Sequence, residues 1–473
     1  MTAEPAPVAV EHAPEHAGAH RHKVAVSHWA VVRLALPMTL AHLSTPLLGI
    51  VDTMVIGRLG QAALLGAIAT AAVLFDFAFW IFSFLRMGTA ALTAQSLGRG
   101  DTQEQHATLL RALLTACALG LLLILLQQPI ATIGFSLLGA SVEVTQSARA
   151  YFDIRIFSAP FVFINYAAVG AFTGRGRTDI ALSVQVFINL LNIILNVAFV
   201  HGLGMGIEGS GLGTLIAEFS GAMLGLFLLL RGQSLALRGI PPEMLLAKDK
   251  LLSLFRLNAD IMIRTMALMF AFGFFTAQSA KQGDVRLAAN AILMNLFLTS
   301  AYFLDGFATA AEQMAGQSLG AGDARGFRKS VAYTSFWCFL FAVVAFVCVM
   351  TFGGLFIDML STNEPVRHAA RDNLMYAALT PLAGCLAFEM DGIFIGATWS
   401  RDMRNMMLMA LGLYLASFYA LRGLGNNGLW LALLVFLLSR GLTLAWRYRT
   451  LSARSFPAAQ SSAFAPTAEA SVG

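Results

Sequence analysis

Charged side chains are scarce in this 473-residue chain: Asp, Glu, Lys and Arg make up 12% of it, against about 25% in a soluble globular protein. Hydrophobic residues make up 58% and the mean hydropathy is +0.71, so no water-soluble fold could cover its own core. The chain is therefore read as a polytopic membrane protein. Cysteine is scarcer still. Cys117, Cys338, Cys348 and Cys385 all fall inside apolar runs without CxxC spacing, which argues against a disulfide framework or a zinc site and leaves four small apolar side chains. Enzyme signatures are missing as well, with neither a Walker A sequence nor HExxH. One GxSxG match, Gly316-Gln-Ser-Leu-Gly320, falls at the end of an apolar helical run instead of a strand-to-helix elbow. No enzyme, metal site or organic cofactor is expected.

What is present is apolar length. Twelve runs of about 20 residues or more can each cross the ~30 Å hydrocarbon core as a helix: 29–57, 64–97, 104–127, 136–171, 177–201, 208–231, 249–280, 286–318, 327–357, 365–396, 402–421 and 426–449. The longer ones imply tilt or kinks at Pro46, Pro160 or Pro381. Residues 1–28 form a polar tail without the apolar stretch of a signal peptide, so the first membrane helix is expected to serve as the insertion signal. His12, His16, His20, His22 and His28 in that tail could bind metal, but an unconstrained polar tail is the preferred reading.

The net charge of +5 and pI near 9.2 do not indicate nucleic acid, because the basic residues sit in short clusters between apolar runs. Arg99, Arg175, Arg177, Lys248, Lys250, Arg325, Arg328, Arg401 and Arg404 follow even-numbered runs, whereas the opposite side has fewer, Arg149 and Arg155 among them. The positive-inside rule then puts both termini in the cytoplasm of a bacterial cell, with the chain in its inner membrane.

Self-comparison divides the chain in two. Gln95-Ser-Leu-Gly-Arg-Gly-Asp101 recurs as Gln317-Ser-Leu-Gly-Ala-Gly-Asp323, and Gly170-Ala-Phe-Thr-Gly174 as Gly392-Ile-Phe-Ile-Gly396, both at an offset of 222. Six helices per half is an even number, so both halves insert in the same direction around a pseudo-twofold axis along the membrane normal. The expected fold is all-α integral membrane: a cytoplasmic tail (1–28), an N-lobe (29–231), a linker with Pro241-Pro242 (232–248), a C-lobe (249–449) and a second tail (450–473). A cleft lies between the lobes.

These features resemble the multidrug and toxic compound extrusion (MATE) family. The resemblance is carried by the doubled six-helix frame, the paired Gln-Ser-Leu-Gly-x-Gly-Asp segments, and Leu47-Leu-Gly-Ile-Val-Asp52-Thr-Met-Val-Ile-Gly-Arg-Leu-Gly60. Leu304-Asp305-Gly-Phe-Ala-Thr-Ala-Ala-Glu312 and Met390-Asp391-Gly-Ile-Phe-Ile-Gly-Ala-Thr398 are similar to its DinF branch. The resemblance implies a secondary active exporter of small organic compounds.

Ionisable groups within the bilayer are costly and point to function by default. Asp52 lies inside the first helix among apolar residues, with no basic residue within a turn, and is the candidate proton carrier; structural hydrogen bonding is the alternative. Asn189, Asn192 and Asn196 share one face of the fifth helix. The resemblance implies that Asn192 and Asn196 face the first-helix acid as an ion site, which Asn165 could complete. Some relatives carry an acid at the position of Asn196, and those are the clearer sodium binders, so protons are favoured here and sodium stays open. The alternative is interhelical packing of the amides.

In the C-lobe, Asp260 and Arg264 are one turn apart and are read as a structural ion pair. Asp305 and Glu312 share a helix face that suits a cation, and together with Asn165 and Asn189 they are candidate cleft residues. The resemblance implies a proton-coupling role for Asp391, whereas Glu389 points elsewhere. The repeat partner of Asp52, at offset 223, is Phe275, so the lobes are not chemically equivalent. Arg86 and Arg440 are expected to snorkel to the cytoplasmic face, Glu218 to pair with a neighbouring helix, and His42 to be a packing histidine. Asp76 has no evident place.

The resulting expectation is a monomeric antiporter, with lipids around it and H⁺ as coupling ion, exporting cationic or amphipathic organic compounds by alternating access. A flippase for lipid-linked intermediates, a sodium-coupled antiporter, and a membrane-embedded enzyme or scaffold are the rivals.

Overall fold

The computed structural model describes residues 26–59, 61–231, 241–245 and 247–457, and the backbone is helical nearly throughout. The N-lobe contains α1 (His28–Gly57), α2 (Ala62–Ile81), α3 (Phe84–Arg99), α4 (Thr102–Leu125), α5 (Gln127–Leu138), α6 (Val142–Arg155), α7 (Ala159–Gly174), α8 (Thr178–Val197) and α9 (Gly206–Arg231). After the short α10 (Pro242–Leu245) come α11 (Lys248–Ala280), α12 (Asp284–Gly320), α13 (Ala324–Leu360), α14 (Glu364–Gly396), α15 (Ser400–Leu421) and α16 (Asn426–Ser455). Among the described residues, eleven segments are long and apolar enough to cross a membrane. The 30-residue α1 makes the twelfth.

Two spans are broken. Phe82 and Ser83 interrupt the second between α2 and α3, and a 3-10 turn at Ile156–Ser158 leads into α7, with Pro160 in its first turn where a missing N–H costs nothing. The fourth span starts at Val142, not at residue 136. Gly139 (φ 63°) ends α5 in the left-handed conformation and the Ser141 hydroxyl caps α6, so 127–138 is a separate helix. Pro381 lies inside α14. The expected tails and inter-lobe linker fall largely outside the described residues. Where the linker is described, it is tied to the N-lobe: Arg111 of α4 donates to the carbonyls of Met244 (2.6 Å) and Leu245 (3.4 Å) and pairs with Glu104 (2.9 Å).

The repeated Gln-Ser-Leu-Gly-x-Gly-Asp segments have a local physical purpose. Gly100 (φ 71°) and Gly322 (φ 67°) take the left-handed conformation that stops a helix. Asp101 and Asp323 then accept from the backbone N–H three residues on, each at 2.8 Å, and so start α4 and α13. Gly98 and Gly320 serve packing. A Cβ on Gly98 would stand 2.0 Å from the carbonyl oxygen of Gln317, and one on Gly320 would stand 2.0 Å from that of Gln95. The two contacts are the same contact exchanged between lobes, as a twofold axis requires. The GxSxG match is part of this helix-to-helix contact.

The second repeat builds each lobe internally. Gly170 and Gly174 of α7 lie against the carbonyls of Arg86 and Ala90 on α3, while Gly392 and Gly396 of α14 lie against those of Ala308 and Glu312 on α12. Small residues four apart let two membrane helices approach at backbone distance.

Contacts between the lobes gather at the end that carries the basic loops. His28 stacks on Tyr333 at 4.1 Å, Gly306 lies against Ala35 and Thr39, Gly88 lies against Asn258, and Gln95 donates to the carbonyl of Gly396 (2.8 Å). Val31, Leu34 and Ala35 share a buried cluster with Ala310 and Met314 of α12. The cleft is thus shut at the basic end.

Candidate ion and substrate chambers

In the N-lobe the polar stripe of α8 ties that helix to two others. Asn189 donates to the Ser44 hydroxyl of α1 (2.7 Å), Asn192 to Thr214 of α9 (2.9 Å), and Asn196 to both the side-chain oxygen Oδ1 of Asn192 (2.7 Å) and the Asp52 carboxylate (2.6 Å). Asn192 and Asn196 are buried. A π-type turn over Ala198–Gly202 follows immediately, a helix irregularity common at functional sites. The face read from the sequence is real, but its members have different partners. Asn165 is not one of them: it donates to the Glu218 carboxylate (2.7 Å) and to that residue's carbonyl oxygen (3.1 Å). Glu218 thereby gains its neighbouring-helix partner.

Arg155 enters the same chamber. Its guanidinium lies 4.5 Å over the Phe75 ring, donates to the Tyr151 hydroxyl (3.0 Å), and is within electrostatic reach of Asp52, Asp76 and Glu218. The sequence counted Arg155 with the loop cations of the opposite side. Its position well inside the run from Val142 to Gly174 was the available signal.

The C-lobe corrects several expectations. Asp260 and Arg264 do not pair. Asp260 accepts from Arg404 (2.6 Å) and Ser400 (2.8 Å) of α15, while Arg264 pairs with Asp391 of α14. One turn of separation brings the two Cα atoms near, but each charge finds a better-placed partner on another helix. Asp391 also pairs with Arg440 of α16, so its carboxylate is held between two guanidinium groups. Arg440 is fully buried and does not snorkel. One nitrogen of the half-buried Arg86, Nη1, is buried without a hydrogen-bond partner, on a helix, α3, that packs between α7 and α12. Glu389 accepts from Thr334 (3.0 Å) and Ser335 (2.6 Å) of α13, on a different side of α14 from Asp391.

Asp305 and Glu312 both reach the inter-lobe region but in different settings. The Asp305 side chain is 47% exposed and lies 4.0 Å from Nδ1 of His42 across the lobe boundary. Glu312 is buried, and its Oε1 has no hydrogen-bond partner. Phe275, the repeat partner of Asp52, packs edge-on against Trp430 at 4.9 Å. The lobes share a frame and differ in chemistry.

Two parallel six-helix halves, a cleft shut at one end and carboxylates placed within the membrane-spanning helices define a secondary transporter. A MatE family profile matches residues 37–198 and 261–420. DNA damage-inducible protein F of Escherichia coli (strain K12) is 38% identical over 426 residues, covering 88% of this chain and 92% of that protein. Multidrug export protein MepA of Staphylococcus aureus (strain N315) is 20% identical over 383 residues, covering 80% and 84%. The crystal structure of MATE in the bent conformation superposes with a TM-score of 0.83 at 17% identity, covering 92% of this chain and 96% of that one. The chain belongs to the multidrug and toxic compound extrusion family. It is a multi-pass membrane transporter of the efflux class, handling small organic compounds.

Proposed function

We propose that this chain exports amphipathic or cationic organic compounds by alternating access, driven by inward movement of protons through Asp52. The observation that carries the reading is the bond from Asn196 to Asp52. A single carboxylate is held by an amide on a facing helix, and among the described residues no second acid shares that hydrogen bond. Burial in a low dielectric penalises the charged form of such a group, so a proton is a natural partner. Protonation removes the charge that Asn196 recognises, loosens α1 from α8, and shifts the population of states. Sodium wants several oxygen ligands, and the amide supplies no second charge.

Shut at the basic end, the described state is outward-facing if that end is cytoplasmic, as the positive-inside rule places it in a bacterial inner membrane. The cationic preference rests on Asp305 and Glu312, because Asp391 is occupied by two arginines and is assigned here to holding α11, α14 and α16 together. The protein works as a monomer and performs no covalent chemistry on its cargo. Export from proteoliposomes under an imposed pH gradient tests the reading. Asp52→Asn keeps the hydrogen bond and loses the titratable proton, so it should fold and fail to export; full export by this variant would sink the proposal.

A further inference from the structure

The turns that end α7 and α14 are repeat mates at the basic end, offset by 222 residues, and they differ at their corner. Both close with the same pair of backbone bonds. In the N-lobe Gly176 donates to the Thr173 carbonyl (2.9 Å) and Arg177 to that of Phe172 (2.9 Å), and in the C-lobe Thr398 donates to the Ile395 carbonyl (2.9 Å) and Trp399 to that of Phe394 (2.8 Å). A helix ending of this kind puts its corner residue in the left-handed region, where glycine sits without penalty. Gly176 has φ 71° and Thr398 φ 57°. Among the described residues Thr398 is the one non-glycine residue with positive φ, and a branched Cβ fits that region worst. Such a conformer persists only where its surroundings over-determine it.

The surroundings here belong to the other lobe. Nε2 of the buried Gln95, on α3, donates to the Gly396 carbonyl (2.8 Å), the last of α14 and without a partner inside its own helix, and to Thr398 Oγ1 (3.3 Å). The Thr398 hydroxyl donates in turn to the Ala397 carbonyl (2.7 Å). A side chain of the N-lobe thus caps a helix of the C-lobe. The twofold mate of Gln95 is employed differently: Gln317 accepts from Gln313 of its own helix (2.9 Å), and among the described residues no C-lobe side chain hydrogen-bonds to the α7 turn.

We infer that Gln95 is a one-sided latch on the basic end. It holds the Thr398 turn in its left-handed form while the lobes meet. When the lobes part, the turn is free to leave that form and the steric cost stored at Thr398 is recovered. The bonds favour the shut state and the strain favours the open one, so the seal holds without becoming a trap. This inference rests on the alternating-access reading and not on which ion drives it.

The test reads the ratio of open to shut molecules from the distance between nitroxide labels at Arg99→Cys and Arg325→Cys, exposed at the basic end on opposite lobes. The protein is reconstituted in lipid with its exposed native thiols, Cys117 and Cys348, replaced by alanine. Gln95→Ala should raise the ratio roughly two- to tenfold, the worth of one net hydrogen bond. Gln317→Ala should leave it at the wild-type value, because its bond stays within α12 in both states. Thr398→Gly should lower it: glycine takes the left-handed form at no steric cost, the bond to Gly396 remains, and the bond given up is the long one at 3.3 Å. If Gln95→Ala leaves the ratio unchanged, if Gln317→Ala matches it, or if Thr398→Gly does not lower the ratio, the inference is overturned. Should Gln95→Ala fail to fold, Gln95→Met fills much the same volume without a donor and should raise the ratio alike; an unchanged ratio, or loss of the fold by both variants, overturns the latch. A wild-type distribution holding only the short distance, with and without a lipophilic aromatic cation and at acidic as well as alkaline pH, would overturn the alternating-access reading itself and the latch with it.

Discussion

Adding one methyl group at Gly320 should bias this transporter away from its described state without weakening either lobe. The Cβ of Gly320→Ala would stand 2.0 Å from the carbonyl oxygen of Gln95 on the other lobe, and a backbone carbonyl cannot rotate out of the way. Relief requires α3 and α12 to part by more than about 1 Å, at a cost on the order of 1–3 kcal/mol for an overpacked site. Only the state closed at the basic end bears that cost, since the lobes separate there in the alternate state. At about 1.4 kcal/mol per factor of ten, the closed population falls by roughly five- to 140-fold relative to the open one.

Gly392→Ala is the control. Its Cβ would meet the Ala308 carbonyl at 2.1 Å, a contact within one lobe, so its cost is the same in both states and appears as lost stability. Spin labels at Arg99 and Arg325, both exposed at the basic end on opposite lobes, report the separation, and a melting curve in detergent reports stability. Gly320→Ala should lengthen the label distance and leave the melting temperature near that of wild type. Gly392→Ala should do the reverse. If Gly320→Ala melts as early as Gly392→Ala and leaves the label distance unchanged, the contact does not gate the cleft.

Asp391→Asn should strand Arg264 and Arg440 with a neutral partner and cost about 3–5 kcal/mol, as breaking a buried pair does, seen as a large fall in melting temperature with the order of preference among cationic, neutral and anionic probes kept. Glu389→Gln should be close to neutral for melting and transport, because the amide still accepts from Thr334 or Ser335. Arg404→Ala should leave Asp260 with only the Ser400 hydroxyl and lower stability by about 1–3 kcal/mol, an effect that Ser400→Ala in the same background should deepen.

The membrane spans were legible in the sequence because apolar length is a one-dimensional property. The pseudo-twofold was legible because the Gly98–Gln317 and Gly320–Gln95 contacts use the same residues in each repeat. The boundary near residue 136 was missed because α5 is apolar enough to merge with the following span, and only the left-handed Gly139 separates them.

Site residues were legible as types and not as partners. The spacing of Asn189, Asn192 and Asn196 gave their common face. Ser44 and Thr214 as partners of Asn189 and Asn192, and Glu218 as the partner of Asn165, depend on which helices pack together, which a single sequence does not state. Asp260 and Arg264 looked like a pair because sequence distance was the only distance on hand, whereas Arg404 and Asp391 lie 144 and 127 positions away from their partners. Arg440 was misplaced because its long side chain was expected to snorkel, and Arg155 for a related reason. Counting basic residues for orientation treats every arginine as bound for an aqueous face, and a guanidinium held by an aromatic ring or a carboxylate escapes that count.

The central claim is tested most directly by export from proteoliposomes loaded with a lipophilic aromatic cation, driven by one ion gradient at a time. Wild-type protein should export on a pH gradient in the complete absence of sodium and stay silent on a sodium gradient at uniform pH. Export that persists on sodium alone, or that collapses when sodium is withdrawn at a constant pH gradient, would contradict proton coupling through Asp52.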